Sequence, residues 1–241
     1  MKAPRQAKSA ETSALRIGDR NRGRILAAAI EVFALRGYDG ARIKEIAERS
    51  RLPKANVYYY FRTKRAIYET IIDNLVGEWD AALAELDAAR DPREALSGYI
   101  RAKLEFSRKR TAQSRLFANE VVHGGRFLSG AVRQHMRAAT AEKAKVFESW
   151  MKAGLMDPVD PVHLFILLWG ATQFYADFGV MAKNGLGVER LTRAHFDAAA
   201  GTIAQIVLKG CGIRLRGSRR ESGQADAPGQ RSLPSRSVSK A

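Results

Sequence analysis

Apolar residues recur at intervals of three and four along most of this chain, and nowhere in the alternating pattern of a half-buried strand. The first periodic run begins near residue 21 and places Ile25, Ala28, Ala29, Val32 and Phe33 on one face. Gly37 is predicted to end that helix at about Arg36. A short segment, IKEIAERS, follows with Ile43, Ile46 and Ala47 on one side. Pro53 opens a third helix at Lys54, because proline is tolerated at a helix start. A longer helix is predicted from residue 64 to residue 89, through Ile67, Ile71, Leu75, Trp79, Leu83 and Leu86. Pro92 opens the next, which extends to residue 109, and further helical spacing covers residues 112–123, 126–153, 160–183 and 189–209. The pattern predicts an all-α protein of about nine helices, three short ones at the N-terminal end and a larger helical body after them.

The two ends of the chain carry no such period. Residues 1–18 read as a flexible basic arm, and residues 212–241, rich in Arg, Ser, Gly and Pro, read as a disordered basic tail. Between them, 19–65 forms one unit and 66–211 a second.

Charge divides along the same lines. Of the net +16, residues 1–65 carry 16 Lys and Arg against 6 Asp and Glu. Residues 66–211 are nearly neutral, with 18 against 17, and residues 212–241 carry 7 against 2. A basic head on a neutral body points to a polyanion-binding end attached to a part with another task. The single cysteine, Cys211, cannot form an internal disulfide and fits a reducing compartment. The most apolar stretch, Leu164–Ala171, is too short to span a bilayer, and there is no secretory signal pattern, so a soluble cytoplasmic protein is expected. The four histidines are scattered without metal-ligand spacing, and no phosphate loop, cofactor motif or nucleophile motif is present. An enzyme is disfavoured on these grounds.

Two short helices joined by a tight turn after a longer one make a helix-turn-helix, whose second short helix enters the major groove of DNA. In LPKANVYYYFRTK, Val57 and Phe61 are four apart and share the buried face with Ile43 and Ile46. Lys54, Ala55, Asn56, Tyr58 and Tyr60 are left to face outward. Asn56 suits the adenine edge, and the tyrosine phenols suit phosphate oxygens. Tyr59 is expected to pack, and Lys64 to lie beside the same backbone, although core packing of all three tyrosines is the competing reading.

Residues 22–70, with ILAAAIEVFALRGYDG, EIAERS and NVYYYFRTKRAIY, resemble the DNA-binding domain of the TetR family of repressors. The resemblance implies a homodimer on a palindromic double-stranded operator and a C-terminal domain whose small-molecule effector weakens DNA binding. This chain departs from the family pattern at three points. Arg51 stands where glycine is usual in the turn, Pro53 where a capping serine is usual, and Ala41 where a threonine precedes the second helix. Contacts are therefore expected to shift toward Arg42 and Lys44. A left-handed Arg51 costs on the order of 1 kcal/mol, unless the turn takes another shape.

In the body, LLWGATQFYADF puts Trp169, Gln173 and Asp177 on one helical line. Such a set suits a flat polar ligand, stacked on indole and paired with an amide; a buried tryptophan beside an interface is the plainer alternative. Trp79 lies roughly 22 Å from Lys64 along a straight helix, on a rod that joins head to body. Residues 99–121 and 160–178 resemble the uracil-responsive, pyrimidine-utilisation branch of the family. That resemblance implies an effector pocket of Trp79, Trp169, Gln173 and Tyr175 with Asp177 nearby, a pyrimidine ligand, and pairing of the last two helices with a two-fold mate. A regulator of another small-molecule pathway and an architectural DNA binder without an effector remain as alternatives.

Overall fold

The computed structural model describes residues 5–213, with side chains from residue 17 onward. Among the described residues there are ten helices and no strand. α1 (Arg5–Gly40), α2 (Ile43–Ser50) and α3 (Lys54–Tyr60) form the head. α4 (Lys64–Leu83) leaves it for the body of α5 (Pro92–Lys109), α6 (Thr111–Val122), α7 (Gly130–Lys152), α8 (Pro161–Asp177), α9 (Gly179–Leu186) and α10 (Arg193–Gly210). None of these helices is by itself long and apolar enough to cross a membrane.

Several helix starts follow directly from local chemistry. Thr63 accepts a hydrogen bond from the Ala66 N–H, Ser129 from Val132, and Asp91 and Asp160 cap helices whose first residue is proline. These side chains satisfy amides that have no partner within the helix. Gly37 interrupts α1 at φ +67°, where the periodicity placed the stop.

Other boundaries depart from expectation. Residues 5–18, read as part of an arm, continue α1 as helix, since Ala, Gln, Lys, Glu, Leu and Arg dominate that stretch and are strong helix formers. Residues 1–4, and the expected tail from residue 214 on, lie outside the described residues. α4 stops at Leu83 instead of 89. The Asp87 carboxylate accepts from the Ala89 N–H there, a local bond that competes with helix continuation. The run 160–183 is two helices meeting at 84°. It breaks at Phe178, where the Arg115 guanidinium donates to the Ala176 carbonyl just before the bend. α10 begins at Arg193 because Thr192 donates its N–H to His195 Nδ1 across the first turn.

Burial divides the interior into two clusters. One joins Ile25, Val32, Phe33, Ile46, Val57 and Ile67 of the head to Leu116, Phe117 and Phe127 of the body. The other lies among α5, α7, α8 and α10 around Tyr99, Phe147, Trp150 and Leu168. The boundary expected at residue 65 therefore crosses a shared core, and α4 runs through both parts.

Arg51 does adopt the left-handed conformation, at φ 53° and ψ 41°. Its N–H reaches Glu48 O and the Leu52 N–H reaches Ala47 O, closing α2. Arg24 clamps the turn from α1 by donating to Ser50 O at 2.7 Å and Arg51 O at 3.2 Å. Glycine at residue 51 removes the steric cost but adds freedom to the unfolded chain. Arg51→Gly is accordingly expected to stabilise the protein by only about 0.5 kcal/mol, measurable as a small rise in thermal midpoint.

Candidate DNA interface and effector cavity

The turn after α2 and the extended conformation of Pro53 set α3 across the head. Val57 and Phe61 are buried, the latter under the Arg22 guanidinium at 4.6 Å. The opposite face of α3 carries Lys54, Ala55, Asn56 and Tyr58, all exposed, with Arg42 and Lys44 exposed at the start of α2. Lys54 Nζ lies 5.7 Å from the Tyr58 ring, one turn away. Three cationic groups, an amide and a phenol thus share one surface.

The tyrosines divide differently from the expected way. Tyr59, expected to pack, is 83% exposed. Tyr60, expected to face outward, lies against the head core, and its hydroxyl accepts from Asn21 Nδ2 at 3.4 Å. The reason is the helical period. Residue 60 is three beyond Val57 and shares its face, whereas residue 59 is two beyond and falls on the far side. Tyr59 belongs with the exposed set that the sequence reading left incomplete.

Lys64 also differs. Its ammonium donates to the carbonyls of Tyr38 at 2.8 Å, Ala41 at 3.1 Å and Asp39 at 3.3 Å, and sits 4.5 Å from the Tyr38 ring. A lysine has three donors, and here all three hold the end of α1 against the start of α4.

Farther along α4, Trp79 forms one wall of a small cavity of about 50 Å3. Val76, Lys103, Met136, Thr140 and Trp169 line it too. Trp79 meets Phe117 edge-on at 4.6 Å and Trp169 at 5.8 Å, so two of the expected residues do come together.

Gln173 and Asp177 lie behind that wall. The Gln173 amide donates to Ser114 Oγ at 3.0 Å and to Asp177 Oδ1 at 3.2 Å, while its oxygen accepts from Lys103 Nζ at 3.4 Å. The amide edge expected to meet a ligand is thereby committed to protein partners. Burial raises the Asp177 carboxyl above its ordinary value, opposed by the Gln173 hydrogen bond and the Lys103 and Arg115 charges. Tyr175, expected in the same pocket, points away from it. It packs 5.9 Å from Phe196 and lines a separate basic cleft with Arg108, Arg115, Lys183 and Arg190. Tyr175 is two residues from Gln173 on a helix, which turns it to another side.

Lys103 was missed by the sequence reading. Only 3% exposed, it has no carboxylate in contact, and its ammonium lies 4.9 Å from the Trp79 ring. Burial depresses its pKa to about 8, with the Asp177 charge acting in the opposite direction. The signal was available: Lys103 continues the apolar stripe Leu96, Tyr99 and Ile100 at helical spacing.

A head that offers one exposed helix of cations and phenols, joined by a single helix to a hollow helical body, defines a helix-turn-helix DNA-binding regulator. Comparison with known proteins makes the class specific. Residues 25–71 match the family model for bacterial regulatory proteins of the tetR family, and residues 72–214 match that for the C-terminal region of YcdC-like proteins. The chain belongs to the TetR family of transcriptional regulators. It is 34% identical to the HTH-type transcriptional regulator RutR of Escherichia coli strain K12 over 189 residues, covering 77% of this chain and 88% of that one. It is 27% identical to the transcriptional repressor NicS of Pseudomonas putida, over 65% of this chain and 76% of that one. In fold it is similar to the ketosteroid transcriptional regulator KstR2 of Mycobacterium tuberculosis, with TM-score 0.64 at 18% identity over 79% of this chain and 94% of that one. The fold of AibR, solved with isovaleryl coenzyme A and operator DNA, matches with TM-score 0.59 at 20% identity over 78% of this chain and 97% of that one.

Proposed function

We propose that this regulator works in the cytoplasm as a homodimeric repressor whose grip on a palindromic operator is weakened by uracil or a related pyrimidine. The observation that carries the reading is the position of α4. One helix begins at the head, where Lys64 fastens it to α1, and supplies Trp79 to the cavity wall. A flat ligand between Trp79 and Trp169 would shift that helix and, with it, the spacing of two heads that must sit about one DNA turn apart. The similarity to RutR supports a pyrimidine in particular. A two-fold mate is supported by the exposed apolar residues Ile166, Leu167 and Phe174 on α8, Phe178 at the bend after it and Ile206 on α10, since a surface of this kind marks an interaction site.

On the DNA side, Arg42, Lys44, Lys54, Asn56, Tyr58 and Tyr59 make the contacts, Ala55 lies against the groove, and Tyr60 and Lys64 hold the head in shape. Affinity for a fragment from upstream of the gene, followed against salt with and without uracil, tests this division. Lys54→Ala is expected to reduce the log–log slope by about 0.9, the value for one phosphate contact. Lys64→Ala is expected to leave the slope unchanged and to lower the thermal midpoint, because it strips three carbonyls of their donor. A slope that falls in Lys64→Ala instead would return that residue to the operator contacts. Indifference to uracil and related pyrimidines in the same titration would remove the pyrimidine.

A further inference from the structure

Two residues that line this cavity carry buried donors without adequate acceptors. The Trp79 indole N–H is fully buried and has no hydrogen-bond partner among the described residues. The Lys103 ammonium carries three donors but has one acceptor, Gln173 Oε1, at a long 3.4 Å. Its other neighbours are the faces of Trp79 and Phe106, at 4.9 and 5.8 Å. Gln173 cannot improve the balance, because both of its own donors are already engaged by Ser114 and Asp177. The arrangement is rich in donors and poor in acceptors, and a buried donor left unpaired is costly. A ligand relieves that cost only by bringing lone pairs.

We infer that Lys103 and Trp79 are the recognition pair of this cavity, and that they select flat molecules presenting exocyclic carbonyl or carboxylate oxygens while rejecting those with amino groups there. The inference rests on the reading of the cavity as the effector site, and it adds the chemical character of the edge the effector must show. An amino group opposite either donor sets donor against donor, and a cationic ligand meets an uncompensated ammonium. Specificity built on buried polar groups is steep, since the wrong ligand leaves them unpaired. Gln173 is a positioning residue: it orients Lys103 from behind and does not read the ligand.

Calorimetry and thermal shift on the full chain decide the matter with two matched pairs, uracil against 2,4-diaminopyrimidine and benzoate against benzamidine. Within each pair the rings are of one size and the exocyclic groups change from acceptor to donor; the ring nitrogens of the first pair reverse with them, as does the formal charge of the second, so the two pairs check each other. Uracil is expected to bind at least tenfold more tightly than the diamine. Lys103→Met is expected to abolish that preference, and Trp79→Phe, which keeps a ring but removes the N–H, to weaken uracil severalfold. Lys103→Met is also expected to raise the thermal midpoint of the ligand-free protein. A lysine held only for structure would lower it, and that result overturns the inference.

Equal affinity for uracil and the diamine overturns the inference and leaves the pyrimidine reading standing. If neither pyrimidine binds but benzoate stabilises the protein and benzamidine does not, the pyrimidine is wrong and the donor pair stands. If no acceptor-bearing probe binds, the donor pair falls as well.

Discussion

Phe127→Ala is expected to lower stability by about 3–5 kcal/mol, the range for removing a buried phenylalanine side chain, and to separate the melting of the head from that of the body. Phe127 stands in the connection between α6 and α7, yet its ring lies in the head. It is 4.1 Å from the Tyr38 ring and 5.2 Å from the Tyr68 ring, between the guanidinium groups of Arg65 and Arg126. Its backbone N–H donates to the buried Glu120 carboxylate at 2.5 Å. Tyr68 also lies beside Glu120, and its hydroxyl is held above its ordinary pKa by burial first and by that carboxylate second. A side chain of the body thus fills the core of the head. Alanine there leaves a cavity flanked by tyrosines that cannot close it without moving. Urea denaturation followed at once by tyrosine and tryptophan fluorescence checks this, because all three tryptophans lie in the body. Coincident transitions with a loss under 1 kcal/mol would show that the wedge does not join the two parts.

The second expected result concerns the cost of keeping Lys103 charged. Its pKa is depressed from 10.5 to about 8. Between those values the unfolded chain binds more protons than the native one, so this group makes stability rise with pH across that interval. The penalty is fully present below about pH 8 and, at 1.36 kcal/mol per pKa unit, is on the order of 3 kcal/mol. Lys103→Met should therefore be the more stable protein at pH 7 by roughly 2–3 kcal/mol. The difference should shrink as pH rises toward 10.5, where the lysine is neutral in both states. The charge that acts on this lysine is Asp177 of α8, and His135 of α7 lines the same cavity. Both are common to the two proteins, and taking the difference between the two curves largely cancels whatever they contribute. A pH-independent difference would mean that the ammonium is already compensated. The gain in Lys103→Met accompanies loss of ligand recognition, the familiar exchange of stability against function.

What could be read from the chain and what could not follow from the range of the forces involved. Helical spacing, the glycine at residue 37 and the Asp–Pro pairs at 91–92 and 160–161 act within a turn of their own position. They determined an all-helical chain, a helix-turn-helix near its N-terminal end and the places where several helices begin. The basic head beside a neutral body was legible for the same reason, because charge is counted along the sequence. The four-residue spacing of Val57 and Phe61 carried the outward placement of Lys54, Asn56 and Tyr58.

The tertiary structure decided what depends on contacts between distant residues. Lys64 appeared free for phosphate until α1 ended beside it and offered three carbonyls. Tyr59 and Tyr60 exchanged roles because the head core seats the Val57 face of α3, on which Tyr60 falls and Tyr59 does not. Gln173 looked like a ligand-binding amide until Ser114, 59 positions away, took up one of its donors. Lys103 became a site residue only when α4 and α8 closed around it and removed the water that would otherwise solvate its charge. Periodicity assigns a residue to a face, but burial and hydrogen-bond partners belong to whatever that face meets.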